Sequence, residues 1–384
     1  MPTNENPTPD RLQRSDPSLA GEGNKLILLA AGGTGGHLFP AEALAVVLAK
    51  RGLTVELATD ARAAHFKFPA SAVHRIPSAT LRGRNPVALA RTGALLALGT
   101  AKAWRLIGKI RPNIVVGFGG YPTVPPLLAA TLRGVPTVLH EQNGVMGRAN
   151  RLLAPRVTAI ATSFPTLTRL DPRLQSKISF TGNPVRPQVI EAARAPYAAP
   201  ELGGKIRLLV FGGSQGAHVM ADIVPAAIER MTPDLRLRLA IVQQARSEDL
   251  AAVRGIYARL GVEAEAAPFF ADLPARMAAA HLVISRSGAS TVAELSAIGR
   301  PAILVPLPHA LDQDQFANAG VLEAAGGAIR IEQRDFTPDR LAAEIGRLAG
   351  DPRWLARMAQ AAKSAGTIDA ADRLADLVMK MAGV

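Results

Sequence analysis

The sequence predicts an α/β protein built from two Rossmann-like, doubly wound parallel-sheet domains that face each other across a cleft. Three observations carry that expectation. Short runs of Val, Ile and Leu alternate with longer helical patterns along all 384 residues, as parallel sheets wrapped by helices require. Two of those runs empty into glycine clusters, Gly32-Gly33-Thr34-Gly35-Gly36-His37 and Gly212-Gly213-Ser214-Gln215-Gly216-Ala217-His218. A strand, a glycine-rich turn and a helix form the opening unit of a doubly wound domain, so meeting it twice implies two such domains in tandem.

The strands expected in the first domain are Lys25 to Ala31, Thr54 to Ala58, Ile114 to Gly117, Thr137 to His140 and Thr158 to Ala161. Those of the second are Arg207 to Phe211, Arg238 to Val242, Leu282 to Ser285 and Ala302 to Pro306. Between them, Thr181-Gly182-Asn183-Pro184-Val185-Arg186-Pro187 and the Pro- and Gly-rich segment that follows have the composition of a linker. The expected division is therefore an unstructured polar tail over 1–24, a first domain over 25–185, a second over 186–365, and a C-terminal helix within 366–384 that packs back on the first domain.

Composition narrows the function classes. The chain has no cysteine, which removes disulfide frameworks, Cys-ligated metals and thiol nucleophiles and suits a reducing cytoplasm. No apolar run approaches the ~20 residues that span a bilayer, and the tail lacks the apolar core of an export signal. The net charge of +13 sits unevenly: residues 1–185 hold 22 Lys/Arg against 9 Asp/Glu, and the remainder 22 against 22. No acidic residue occurs between Asp60 and Glu141, an interval that carries eleven cations from Arg62 to Arg133, among them Arg82, Arg84, Lys102, Arg105 and Lys109. Such a field attracts anionic lipid or a phosphorylated substrate. Aromatics make up only 4%, leaving little to stack bases on, and no nucleic-acid-binding motif is present. Leu81, Val87, Leu89, Leu95, Leu96, Leu98, Trp104, Leu106 and Ile107 alternate with these cations, a composition shared by interfacial surfaces and by solvated helices over a core stripe.

Glycine clusters that open a helix are sized for phosphate, because the backbone approaches closely and the helix end offers free N–H groups. The first cluster departs from G-x-G-x-x-G, with Leu38 where the third glycine would stand, although Asp60 at the end of the second strand could hold a ribose. His37 begins the helix after this cluster, where a helix N-terminus favours the neutral imidazole of a general base. In the second half, Arg286-Ser287-Gly288-Ala289-Ser290 leads into a helix with Ser290 as a cap and Glu294 placed for ribose hydroxyls. The loop from Pro306 to Gln315 and the run Glu141-Gln142-Asn143 fall on the same ligand-facing rim.

Six ordered motifs carry a resemblance: Gly-Gly-Thr-Gly-Gly-His-Leu-Phe-Pro at 32–40, Gly-Phe-Gly-Gly-Tyr-Pro at 117–122, His-Glu-Gln-Asn at 140–143, Gly-Asn-Pro-Val-Arg at 182–186, Gly-Gly-Ser-Gln-Gly at 212–216 and Arg-Ser-Gly-Ala-Ser-Thr-Val-Ala-Glu at 286–294. Over about 25–380 the chain resembles the MurG family, the family 28 glycosyltransferases. The resemblance implies a GT-B fold and an inverting transfer of N-acetylglucosamine from UDP-N-acetylglucosamine to undecaprenyl-diphospho-N-acetylmuramoyl-pentapeptide (lipid I), giving lipid II for peptidoglycan. It implies a peripheral enzyme at the cytoplasmic face of the membrane, with anionic lipid and other cell-wall synthesis proteins as partners, no nucleic acid, no metal and no cofactor. By motif match, His37 is the general base. Thr34, Gly35, Gly36, Asn143, Arg186, Ser214, Ala289, Ser290, Thr291, Val292, Ala293, Glu294 and Gln315 bind the donor substrate, with Glu294 on the ribose; Phe270, beside the uracil, departs from the aliphatic residue that some relatives carry there.

On the residues alone two other readings stand beside this one. Tandem Rossmann-like halves with Asp60 fit a nicotinamide or flavin oxidoreductase, and the basic surface alone fits a membrane or nucleic-acid adaptor.

Overall fold

Ile27 and Leu29 turn to one face of a sheet and Leu28 and Ala30 to the other, and all four are fully buried. A strand covered on both faces belongs to a parallel sheet wrapped by helices. The computed structural model describes residues 25–33, 35–61, 67–79, 86–213, 216–308 and 313–384. The tail over 1–24, Thr34, Ser214, Arg82, Arg84 and Asp312 lie outside them.

The first half contains β1 (Leu26–Ala30), β2 (Thr54–Thr59), β3 (Ala72–Arg75), β4 (Ile114–Gly117), β5 (Thr137–Glu141), β6 (Ala159–Thr162) and β7 (Ile178–Phe180), ordered β3-β2-β1-β4-β5-β6-β7. The second contains β8 (Ile206–Phe211), β9 (Leu239–Gln244), β10 (Glu263–Ala267), β11 (Leu282–Ser285), β12 (Ala302–Leu304) and β13 (Ala328–Arg330), ordered β10-β9-β8-β11-β12-β13. All neighbouring strands are parallel. In each sheet the order reverses beside the first strand, which opens a crevice at the strands' carboxyl ends. This is the two-domain GT-B arrangement expected from the sequence.

The nine expected strands are all present, with ends shifted by a residue or two. The four that sequence patterning passes over, β3, β7, β10 and β13, are the four sheet edges. An edge strand has one paired side and tolerates charge and exposure. Glu263 to Glu265 in β10 are exposed, and Ala-Val-His-Arg in β3 is nowhere fully buried.

The chain crosses between the halves twice. At the first crossing Gly182 adopts φ +82°, and a Cβ there would stand 2.6 Å from Thr367 Cβ, on the second crossing. Glycine is needed for both the backbone angle and the close approach. After the first crossing, helix Pro187–Ala192 buries Val189 in the second half's core. After the second, helix Ala370–Ala382 returns to the first half, burying Leu374, Ala375 and Val378 against helix Gly35–Lys50, β4 and β5. The Arg51 guanidinium meets Asp372 at 2.9 Å on its outer side. Replacing Leu374 with Ala is expected to cost about 2–5 kcal/mol through lost burial and the cavity left behind. Urea unfolding would show this as a lowered midpoint; an unchanged midpoint would mean that the C-terminal helix contributes nothing to the first half's core.

Candidate active site

The carboxyl ends of both sheets frame a cleft of about 1020 Å³ lined from both halves and by the segment joining them. Gly33 and Gly213 occupy matching turns after β1 and β8 with φ +86° and +89°, a region open to glycine and strained for other residues. Beneath the first turn the Gly33 N–H donates to Asp60 Oδ1 at 3.3 Å, and Asp60 is buried. Its carboxylate thus supports the loop from behind and takes no place in the cleft lining, which removes the ribose ligand on which the oxidoreductase reading rested.

His37, Gly35 and Gly36 line the cleft from the start of helix Gly35–Lys50. The imidazole stands over Gly120, where a Cβ would come within 3.5 Å of Nε2 and Cε1. The glycine motif at 117–122 therefore leaves space for His37.

Below the rim lies a buried polar floor. Glu141 accepts from the Asn143 N–H at 3.0 Å, the Gly147 N–H at 2.9 Å and Asn150 Nδ2 at 2.6 Å. Burial pushes its carboxyl up, and those donors hold it partly back. His140 places Nε2 3.1 Å from the Gly182 carbonyl and Nδ1 3.1 Å from Gln142 Nε2. A carbonyl can only accept, so Nε2 carries the proton and Nδ1 accepts from the amide. Burial lowers the His140 pKa to about 4, which keeps the ring neutral at physiological pH.

Arg186 and Glu294 form one unit. Both Nε and Nη2 of Arg186 donate to Glu294 Oε1, at 3.2 and 2.9 Å, while the guanidinium lies 4.3 Å from the centre of the Phe39 ring. The pair thus draws on the first half's helix, the crossing segment and the second half's helix Ala289–Ile298. Burial raises the Glu294 carboxyl and Arg186 opposes that rise. That helix is capped by Gly288 with no side-chain cap bond, so Ser290 is its second residue, two positions past the cap it was expected to be. Its buried hydroxyl has no protein partner and lines the cleft with Ala289, Thr291 and Glu294. Val292 and Ala293, by contrast, line a separate cavity.

Phe270 lines the cleft largely buried, with the Arg276 guanidinium 4.3 Å from its ring centre, and exposed Phe269 stands beside it on the rim. Gln315 Oε1 accepts from the Leu307 N–H at 3.1 Å, which ties the helix Asp314–Ala324 to the loop after β12. Asp312-Gln313-Asp314 has Asp-x-Asp spacing; Asp312 lies outside the described residues, and the Asp314 carboxylate accepts from the Gln315 N–H at 2.8 Å. Sequence reasoning missed Asn318 and Gln333. Gln333 Oε1 receives Arg286 Nη2 at 2.5 Å, and Arg286 Nη1 donates to the carbonyls of Val305 and Pro306. An asparagine in a helix interior, where its propensity is poor, was the one available signal for Asn318.

Comparison with known proteins agrees with this geometry. Residues 27–162 match the glycosyltransferase family 28 N-terminal domain and residues 207–374 its C-terminal domain. A Nitrobacter winogradskyi protein named UDP-N-acetylglucosamine--N-acetylmuramyl-(pentapeptide) pyrophosphoryl-undecaprenol N-acetylglucosamine transferase is 64% identical over 359 residues, covering 93% of this chain and 98% of the relative. A Rhodopseudomonas palustris protein (strain BisB18) of the same name is 63% identical over 361 residues, covering 94% and 96%. Among solved structures, MurG of Acinetobacter baumannii matches with a TM-score of 0.75 at 27% identity over 93% of this chain and 99% of the other. The glycosyltransferase of kitacinnamycin matches at 0.65 and 20% identity over 93% and 98%, a likeness of fold alone.

The Arg186–Glu294 pair has a testable energetic signature. Arg186→Met is expected to cost about 3–5 kcal/mol near neutral pH by leaving a buried carboxylate without its cation. A carboxyl whose folded pKa lies above its unfolded value stabilises below the unfolded pKa and loses that contribution as pH rises through the folded value. The deficit should therefore shrink as pH falls toward ~4. Thermal melts of both proteins across that range check this, and a deficit independent of pH would refute it.

Proposed function

The chain belongs to glycosyltransferase family 28, and from that premise we propose that it moves N-acetylglucosamine from UDP-N-acetylglucosamine to the C4 hydroxyl of the muramyl sugar in undecaprenyl-diphospho-N-acetylmuramoyl-pentapeptide, giving lipid II for peptidoglycan. The observation that carries this reading is the convergence of two glycine turns, His37 and the Arg186–Glu294 pair on one cleft.

The donor lies along the second half. Glu294 Oε1 is occupied by Arg186, so Oε2 accepts the ribose hydroxyls, while Phe270 flanks the uracil. Helix His218–Glu229, entered through Gly212, Gly213 and Gly216, and helix Ala289–Ile298 turn their N-termini toward the diphosphate. Ser290 and Thr291 add hydroxyls there, and Gln315 reaches the sugar. Ser214 and Thr34, outside the described residues, belong to the same two turns. Gly35, Gly36 and Asn143 face the donor from the first half, the side from which the acceptor enters.

Inversion is a single displacement. His37 takes the proton from the acceptor hydroxyl as its oxygen attacks the anomeric carbon on the face opposite UDP, and the helix N-termini stabilise the charge building on the departing diphosphate.

Helix Pro86–Ile110 supports the further proposal of peripheral association with the cytoplasmic face of the membrane. Ala103 and Ile107 are buried on its inner side, while Arg91, Leu98, Lys102, Arg105 and Lys109 recur at helical spacing on the exposed side. Exposed Trp104 carries the Arg133 guanidinium 4.2 Å from its ring centre, and Leu132 beside it is 61% exposed. Cations around exposed apolar side chains suit an anionic lipid surface. No described helix is long and apolar enough to cross a membrane.

UDP should appear from UDP-N-acetylglucosamine only when a lipid I analogue is present; silence with a competent acceptor would sink the reading. His37→Ala is expected to lower turnover by roughly 10²-fold or more with donor affinity nearly intact, as separate kcat and Kd measurements would show. A fully active variant would remove His37 from its role. Reversing Lys102, Arg105 and Lys109 to Glu should weaken partitioning onto anionic vesicles by about 1 kcal/mol per charge. Unchanged partitioning would assign these cations to solubility.

A further inference from the structure

Asn318 is wholly buried on helix Asp314–Ala324 of the second half, and its amide is used from both ends. Its Oδ1 accepts from the Gly144 N–H at 2.9 Å, and its Nδ2 donates to Asn143 Oδ1 at 3.0 Å and to the Ser287 carbonyl at 3.2 Å. Gly144 is a donor and Ser287 an acceptor, so the amide has only one orientation that satisfies both. That orientation also fixes Asn143: its Oδ1 faces Asn318, and its Nδ2 turns to Glu141 Oε1 at 3.3 Å. A hydrogen-bonded line thus runs from the Ser287 carbonyl through two amides to the buried carboxylate under the first half's rim. Gly144 packs so closely that a Cβ there would lie 3.5 Å from Ala317 Cβ. Gln315 stands three residues before Asn318 on the same helix, and its carbonyl accepts from the Ser287 hydroxyl at 2.8 Å.

We propose that Asn318 is a positioning residue for the transfer: it sets the acceptor-side loop 141–147 in register with the donor-side loop 286–290, and so fixes the distance between the attacking hydroxyl and the anomeric carbon. The proposal rests on the transferase reading above. Asn318 touches neither substrate, and nothing in its spacing marks it. Its effect falls on the chemical step, because donor contacts lie within the second half while the reacting pair is assembled across both. A misplacement near 1 Å costs on the order of 10²-fold in rate.

The test is steady-state kinetics of full-length Asn318→Asp, Asn318→Ser, Asn143→Ala and the Asn143→Ala/Asn318→Ser double variant, with UDP affinity and melting temperature measured on each. Asn318→Asp keeps the acceptor toward Gly144 but sets a carboxylate against two other acceptors. Asn318→Ser removes the bridge without buried charge and serves if the Asp variant does not fold. The expected result is kcat lower by about 10²-fold in a folded variant, UDP affinity within a few-fold, and a double variant no slower than its slower parent, since both members belong to one line. Wild-type kcat in a folded variant, losses that multiply in the double variant, or a loss matching only the unfolded fraction would overturn the proposal. A wild-type protein that releases no UDP with lipid I analogue would instead sink the transferase reading, so the two failures are separable.

Discussion

Each sheet contributes half a site, so the chemistry depends on how two independently cored halves are held in register. Apolar packing does part of this: the buried clusters lie on the faces of each sheet, but Phe164 of the first half joins a cluster of the second, and the C-terminal helix docks in the core of the first. The rest of the register comes from a few short polar contacts and close backbone approaches. These are Asn318 on Asn143 and Gly144, Arg186 between Phe39 and Glu294, and Gly182 against Thr367. Hydrogen bonds are directional and fall off within tenths of an ångström, whereas apolar contact tolerates sliding. A junction made of them is small yet geometrically strict.

The same contrast decides what could be read from the sequence. Interior strands announce themselves because a strand buried on both faces must be apolar at successive positions, as in Leu26 to Ala30 and Leu208 to Phe211. The edges β3, β7, β10 and β13 answer to no such demand and left no pattern. The glycine turns were legible for a related reason: Gly33 and Gly213 are required by a backbone angle, which is a local property. Glu294 was legible as the acidic residue one turn into a helix, and Arg186 and Asn143 by their motifs, but the pairing of Arg186 with Glu294 was not, since the two are 108 residues apart. The contact of Asn143 with Asn318, 175 residues on, left no signal either. Asp60 shows the opposite error, a residue with the right type and spacing for ribose that turns under the loop it supports.

The Arg186–Glu294 pair also resolves an electrostatic difficulty. The second half has no net charge by count, so no overall excess draws a nucleotide diphosphate to it, and a bare Glu294 would repel one. Two N–H donors on Glu294 Oε1 cancel that charge locally while leaving Oε2 as an acceptor for uncharged hydroxyls. The guanidinium keeps its remaining donors and its face on Phe39, a ring from the other half. In the proposed donor site a carboxylate would thus read hydroxyls beside an anion only because a cation from the crossing segment sits on it. On the proposed function, the cationic excess of the first half would serve the lipid-borne diphosphate, where its reach of about a Debye length suits a charged surface better than a pocket. Long-range attraction and short-range recognition are in this way assigned to different halves of the chain, and the polar junction between them is where the two meet.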